Sequence, residues 1–149
     1  MASTVSNATL TLTVSEDVKL NGNQVGAKVV QTITDINEAS RRILSVPTYE
    51  TEILALSGTA GAGTYVTGDL QYIRISNLDD TNFIRISFTS GAANRYDVKL
   101  PAKRTAMFTS PSISGSAGGD AFGSFANFDS LKASADTAAV DIELFVASK

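Results

Sequence analysis

The sequence predicts an all-β protein, a single-domain antiparallel β-sandwich of jelly-roll type with about eight to ten short strands. Three observations carry this. Between Leu70 and Pro101, three runs alternate apolar and polar residues with period two, which only a strand converts into one dry and one wet face. Turn-forming clusters recur at short, regular spacing along the chain. Helical periodicity is nearly absent, with Asn37–Arg42 (NEASRR) the best candidate for a helical turn and too short to stand alone.

In chain order, residues 1–8 are small and polar and read as an N-terminal arm to a sandwich domain over 9–149. ATLTLTV then places Leu10, Leu12 and Val14 on one strand face and threonines on the other. Asn21-Gly22-Asn23 is a turn signal. Ala27–Ile36 reads as a strand buried on both faces near Val29 and Val30. Ile43–Pro47 and Tyr49–Ser57 read as strands separated by Pro47. GTAGAGT, residues 58–64, is a loop without packing side chains.

The central runs place Ile73 and Ile75, then Ile84, Ile86 and Phe88, then Tyr96, Val98 and Leu100 on dry faces. If the first two form a hairpin around Asp79-Asp80, parity requires an even loop and sets Ile75 opposite Ile84 and Arg74 opposite Arg85. That arginine pair needs a nearby anion, which Asp97 or a partner chain can supply. A strand with Ala106 and Phe108 follows. Residues 112–126 form a second Gly/Ser-rich loop whose Ile113, Phe122 and Phe125 either tuck into the domain or order against a neighbouring subunit. Asn127–Ser134 and Ala139–Ala147 flank a turn at 135–137 and read as a terminal hairpin.

Composition narrows the function. The chain has 149 residues, enough for a real core, and no cysteine, hence no disulfide frame and no thiolate chemistry. Histidine is absent, which removes the commonest general base and metal ligand together. The net charge is −3 and no basic cluster reaches the size that tracks phosphates, so nucleic acid is not the expected partner. MASTVSNATLTLTV lacks the basic and apolar regions of a secretory signal, and no apolar run reaches membrane-spanning length.

No constellation reads as catalytic, and no cofactor is expected. Asn77-Leu78-Asp79-Asp80-Thr81-Asn82 is dense in oxygen ligands of the kind Ca²⁺ uses, yet Asp and Asn are equally the residues of tight turns. Structural turn is the favoured reading. Glu50 and Glu52 share a strand face about 7 Å apart, with no tryptophan to form a sugar platform beside them. Arg41-Arg42 and Lys103-Arg104 are small basic pairs suited to solvent or to a neighbour's carboxylates. Serines lack a histidine base, and glycines 58, 61 and 63 do not make a phosphate cradle.

The run ITDINEASRRILSVPTYETEILALS, the segment YIRISNLDDTNFI and the corner LPAK (100–103) within RYDVKLPAKRTAMFTSP resemble small virion structural proteins of tailed bacteriophages. The resemblance spans Val29–Pro111. It implies a jelly-roll or sandwich module without enzymatic activity that binds the outer face of the major capsid protein as a decoration or cement protein, often as a homotrimer. It implies location on the virion surface after assembly in the host cytoplasm, with no membrane, nucleic acid or small-molecule substrate. The expected contacts are the N-terminal arm, the two glycine-rich loops with Ile113, Phe122 and Phe125, and Arg41, Arg42 and Arg104. The alternatives are a receptor- or carbohydrate-binding head, for which Tyr65 and Tyr72 are the available aromatics, and a neck or tail adaptor.

Overall fold

The computed structural model describes residues 6–90, 94–109 and 128–149. The chain divides at Asn37 into two compact units, Met1–Asn37 and Glu38–Lys149.

The first unit is a two-stranded antiparallel ribbon. β1 (Ala8–Ser15) pairs with β4 (Lys28–Ile36), and β2 (Lys19–Leu20) pairs with β3 (Asn23–Gln24). Backbone bonds from Glu16 N to Ala27 O and from Val25 N to Val18 O join the two ladders into one long hairpin. Its reversal is the two-residue loop Asn21-Gly22, with φ of 50° and 82°. Positive φ at both central residues is the type I′ geometry whose twist matches a hairpin, and Asn-Gly is its preferred pair. Gly26 is fixed by crowding, since a Cβ there would lie 2.0 Å from the Glu16 carbonyl oxygen. Leu10, Leu12 and Val14 share one half-buried face, as their alternation requires.

Val29 and Val30 depart from expectation. Both are more than half exposed, so β4 is not buried on two faces. Val29 and Val30 are consecutive, so they point to opposite faces of the ribbon, and solvent reaches both; among the described residues β4 pairs only with β1.

The second unit is the sandwich. Its strands are β5 (Glu38–Val46), β6 (Thr51–Ser57), β7 (Tyr65–Val66), β8 (Leu70–Asn77), β9 (Ile84–Ser90), β10 (Asn94–Leu100), β11 (Thr105–Phe108), β12 (Ser130–Ala135) and β13 (Val140–Ser148). One sheet runs β10-β9-β12-β6-β7 and the other β11-β8-β13-β5. The pairs nest: β9 with β10, β8 with β11, β6 with β12, and β5 with β13. A long hairpin rolled so that successive pairs alternate between sheets is the jelly-roll topology. The two inner faces meet in a core centred on Phe88, Ile73, Ile75, Ile84, Ile86, Leu131, Ile142 and Leu144. Phe88 lies at its middle, with T-shaped contacts to Phe108 and Phe128 at 5.1 and 5.4 Å between centroids.

Three pairing expectations are corrected. Residues 37–42 form no helical turn, because β5 begins at Glu38 and pairs along its whole length with β13. Short helix formers yield here to a nine-residue ladder. β8 and β9 are not a hairpin: Ile75 pairs with Ala106 and Leu144, and Ile84 with Leu100 and Ala135. The loop between them crosses from one sheet to the other. Likewise β12 and β13 lie in different sheets, so the turn near 136 is a second crossover and not a terminal hairpin. The hairpin that does form, β9–β10, pairs Tyr96 with Phe88 and Val98 with Ile86.

Candidate functional site

The outer faces of the two sheets carry charge networks. On the four-stranded sheet, Glu143 of β13 stands between Arg41 of β5 and Arg74 of β8. Arg41 donates Nε and Nη2 to one carboxylate oxygen at 2.8 and 2.5 Å, and Arg74 donates Nη2 to the other. Arg41, then Arg74, hold the Glu143 carboxyl below its ordinary range. Arg74 also lies over the Phe145 ring and bonds Ser76 at 3.0 Å. On the five-stranded sheet, Arg95 joins Glu50 at 2.6 Å and Asp97 at 2.7 Å, and Asp97 reaches Arg85 at 3.9 Å. The two arginines set opposite each other by the expected hairpin therefore lie on different sheets, and each has its own carboxylate.

Glu50 and Glu52 are each set beside cationic side chains. Glu50 precedes β6 and pairs with Arg95 and with Lys132 at 3.6 Å, while Glu52 stands opposite Lys132 in the ladder. The Asn77–Asn82 segment is a turn scaffold. Asp79 Oδ1 accepts the amides of Thr81 and Asn82 at 2.7 and 2.6 Å, which hold that carboxyl low. Asp80 pairs with Lys103 at 2.7 Å. Asn77, 2% exposed, donates Nδ2 to the carbonyls of Asn82 and Leu100 and accepts the Asp79 amide. Its side chain thereby ties the crossover loop to the strand ends on both sheets. Among the described residues, no group of three or more His, Cys, Asp or Glu is placed to hold a metal ion.

The predicted contact residues are not gathered. Arg41 and Arg42 lie on opposite faces of β5; Arg41 joins Glu143, whereas Arg42 donates to the Ile53 carbonyl at 3.0 Å. Arg104 precedes β11, at the far edge of the same sheet from β5. Ile113, Phe122 and Phe125 lie outside the described residues. Tyr65 and Tyr72 are both buried, with Tyr65 Oη on Ser40 Oγ at 2.6 Å and Tyr72 edge-on to Phe145, so they offer no sugar platform.

Two features were missed by sequence reasoning. One is the hairpin of residues 8–36, where Val18, Leu20, Val25, Val29 and Val30 are each 50–62% exposed. Surface apolar residues are ordinary singly, but a run of them on a two-stranded ribbon is not. The Asn-Gly signal flanked by apolar residues was the available clue. The other is an open groove of about 490 Å³ in the sandwich, lined by Ile43, Ser45, Leu78, Asp79, Ala139 and Asp141. Ile43 and Leu78 are 67% and 47% exposed there. Comparison with protein-family models, curated proteins and solved structures returns no match.

Proposed function

We propose that this chain is a non-enzymatic structural protein of a phage virion, a decoration or cement protein that binds the outer face of the capsid lattice. The observation that carries this reading is the hairpin: five large apolar side chains stand exposed over its two faces, and among the described residues no further strand pairs with its edges, an exposure that calls for a protein partner. The resemblance of Val29–Pro111 to virion proteins gives that partner its class. The jelly roll serves capsid proteins and lectins alike, so fold alone does not choose between them. Net charge −3 favours the outside of a shell over its genome-facing side, where a basic surface is expected. An oligomer, with a trimer expected, multiplies weak contacts to a repeating lattice through effective concentration.

The test is co-sedimentation of purified protein with capsids of the same particle, with capsid melting followed in parallel. Binding together with a raised capsid melting temperature supports cementing. Absence of both overturns it, and the receptor-binding alternative then becomes the reading to pursue.

A further inference from the structure

Asn21-Gly22 is the one Asn-Gly pair in the chain, and it forms the reversal of the 8–36 hairpin. Both residues are exposed, and a Cβ built on Gly22 would meet nothing within 4 Å. Glycine leaves its own nitrogen open to approach, where any other residue would screen it with a side chain. Among the described residues, no hydrogen bond engages the Asn21 carboxamide or the Gly22 N–H. The turn imposes one barrier. In the type I′ backbone the Gly22 nitrogen points away from the Asn21 side chain, so the two meet only when the tip opens. Opening is cheap there, because the tip is held by a short ladder, Lys19–Leu20 on Asn23–Gln24, with Val25 N on Val18 O at 2.9 Å beneath it. Asn77 is the opposite case. It is 2% exposed, hydrogen bonds to Asn82, Leu100 and Asp79 fix its carboxamide, and Leu78 follows it.

We propose that Asn21-Gly22 is a site of spontaneous deamidation whose main product, isoaspartate, holds the hairpin tip open. In the opened tip the Gly22 nitrogen, its proton taken by hydroxide, attacks Asn21 Cγ. An N–Cγ bond forms, the Cγ–Nδ2 bond breaks, and the side-chain nitrogen leaves as ammonia. Water then opens the cyclic imide at either carbonyl, and nothing is oxidised or reduced. Opening at the side-chain carbonyl gives aspartate. Opening at the carbonyl beside the nitrogen-bearing Cα, the more electrophilic of the two, gives isoaspartate, whose main chain runs through Cβ and Cγ and is longer by a methylene. Aspartate fits the same turn, since Asp-Gly is also a favoured type I′ pair. Isoaspartate does not, because a two-residue loop with positive φ at both central positions closes only at the normal chain spacing. The tip that carries Val18, Leu20 and Val25 therefore opens once and stays open. Deamidation needs the turn alone and is independent of the decoration reading.

Ageing the full chain at neutral and mildly alkaline pH, native and in urea, tests it, with peptide mapping and isoaspartyl methyltransferase labelling as readouts. The native chain should gain isoaspartate at residue 21 faster than at any other described asparagine. Its rate should lie within about tenfold of that in urea, because opening of a hairpin tip falls at the low end of local openings. The rate should rise with pH, as attack by the deprotonated nitrogen requires. Gly26→Ala, which crowds the Glu16 carbonyl in the ladder below, should speed conversion. Asn21→Gln should abolish it while the sandwich keeps its melting transition. In the aged product the nuclear Overhauser contacts between Leu20 and Asn23 should be lost, and in Asn21→Asp they should persist. A native Asn21 that stays intact while it converts in urea overturns the proposal. So does conversion no faster than at Asn77, or indifferent to Gly26→Ala. Isoaspartate formed with the Leu20–Asn23 contacts retained overturns the one-way opening, as does their equal loss in Asn21→Asp, which would assign the opening to the added charge.

Discussion

Glu143 occupies a face that alternation assigns to solvent, yet its side chain is only 11% exposed, between the guanidiniums of Arg41 and Arg74. Period two reports which side of a sheet a residue faces and is silent about which strands lie beside it, so this triad, with β5 on one side of β13 and β8 on the other, was not legible. Because the folded carboxyl titrates below its unfolded value near 4.5, its contribution to stability is full above that pH and is lost as pH falls through the lowered folded value. Glu143→Gln should therefore melt earlier at neutral pH, by about 1–2 kcal/mol since Arg41 is largely exposed, and the deficit should vanish under acid. Thermal melts of both proteins across pH check this; a deficit that persists unchanged below the folded value would exclude the ion pair as its source. Asn77 was legible only as a turn former. Removing its three hydrogen bonds by Asn77→Ala should cost about 3 kcal/mol, at about 1 kcal/mol each with little refund from solvation, as denaturant unfolding would measure.

At the scale of elements, strand positions were largely legible and strand partners were not. The runs at 73–75, 84–88 and 140–146 present the dry faces that their alternation specifies, whereas the run at 96–100 does so only towards its end, with Leu100 buried, Val98 half-buried and Tyr96 45% exposed. What distinguishes a hairpin from a crossover is the connection. Asn21-Gly22 is a two-residue loop with the backbone a tight reversal needs, and it makes one. The 78–83 loop is longer, holds no glycine, and is built by Asp79 and Asn77 into a bridge between sheets. Parity alone allowed a hairpin there without requiring it. In the arm, Gly26→Ala should force Glu16 and its partner Ala27 apart, and the amides from Val14 to Val25 should exchange faster with solvent. Protection equal to wild type would show that the ribbon yields there without opening.

For the whole molecule, every residue of the central core lies at or beyond Val46, so the sandwich owns its stabilising burial. A chain beginning at Glu38 should unfold in one cooperative transition, measured by circular dichroism on heating; a broad, non-cooperative melt would refute this. Phe88→Ala, at the centre of the aromatic cluster, should cost about 3–5 kcal/mol in the same assay. The sandwich class was legible from the density of short alternating runs, but the nesting of pairs was not, since β5 meets a strand nearly a hundred residues later. Function was least legible, because no catalytic or metal-ligand spacing stands out in the sequence. The nesting also sets how the sandwich answers force. Glu38 and Ser148 face each other at one end of the β5–β13 ladder, and Val46 and Val140 close the other. Tension drawing Glu38 and Ser148 apart loads only the terminal pair at any moment, so the strands peel like a zipper. The same ladder dragged lengthwise would have to break in unison. Force applied along the two strands would meet a stiff body, and force applied at Glu38 and Ser148 a yielding one.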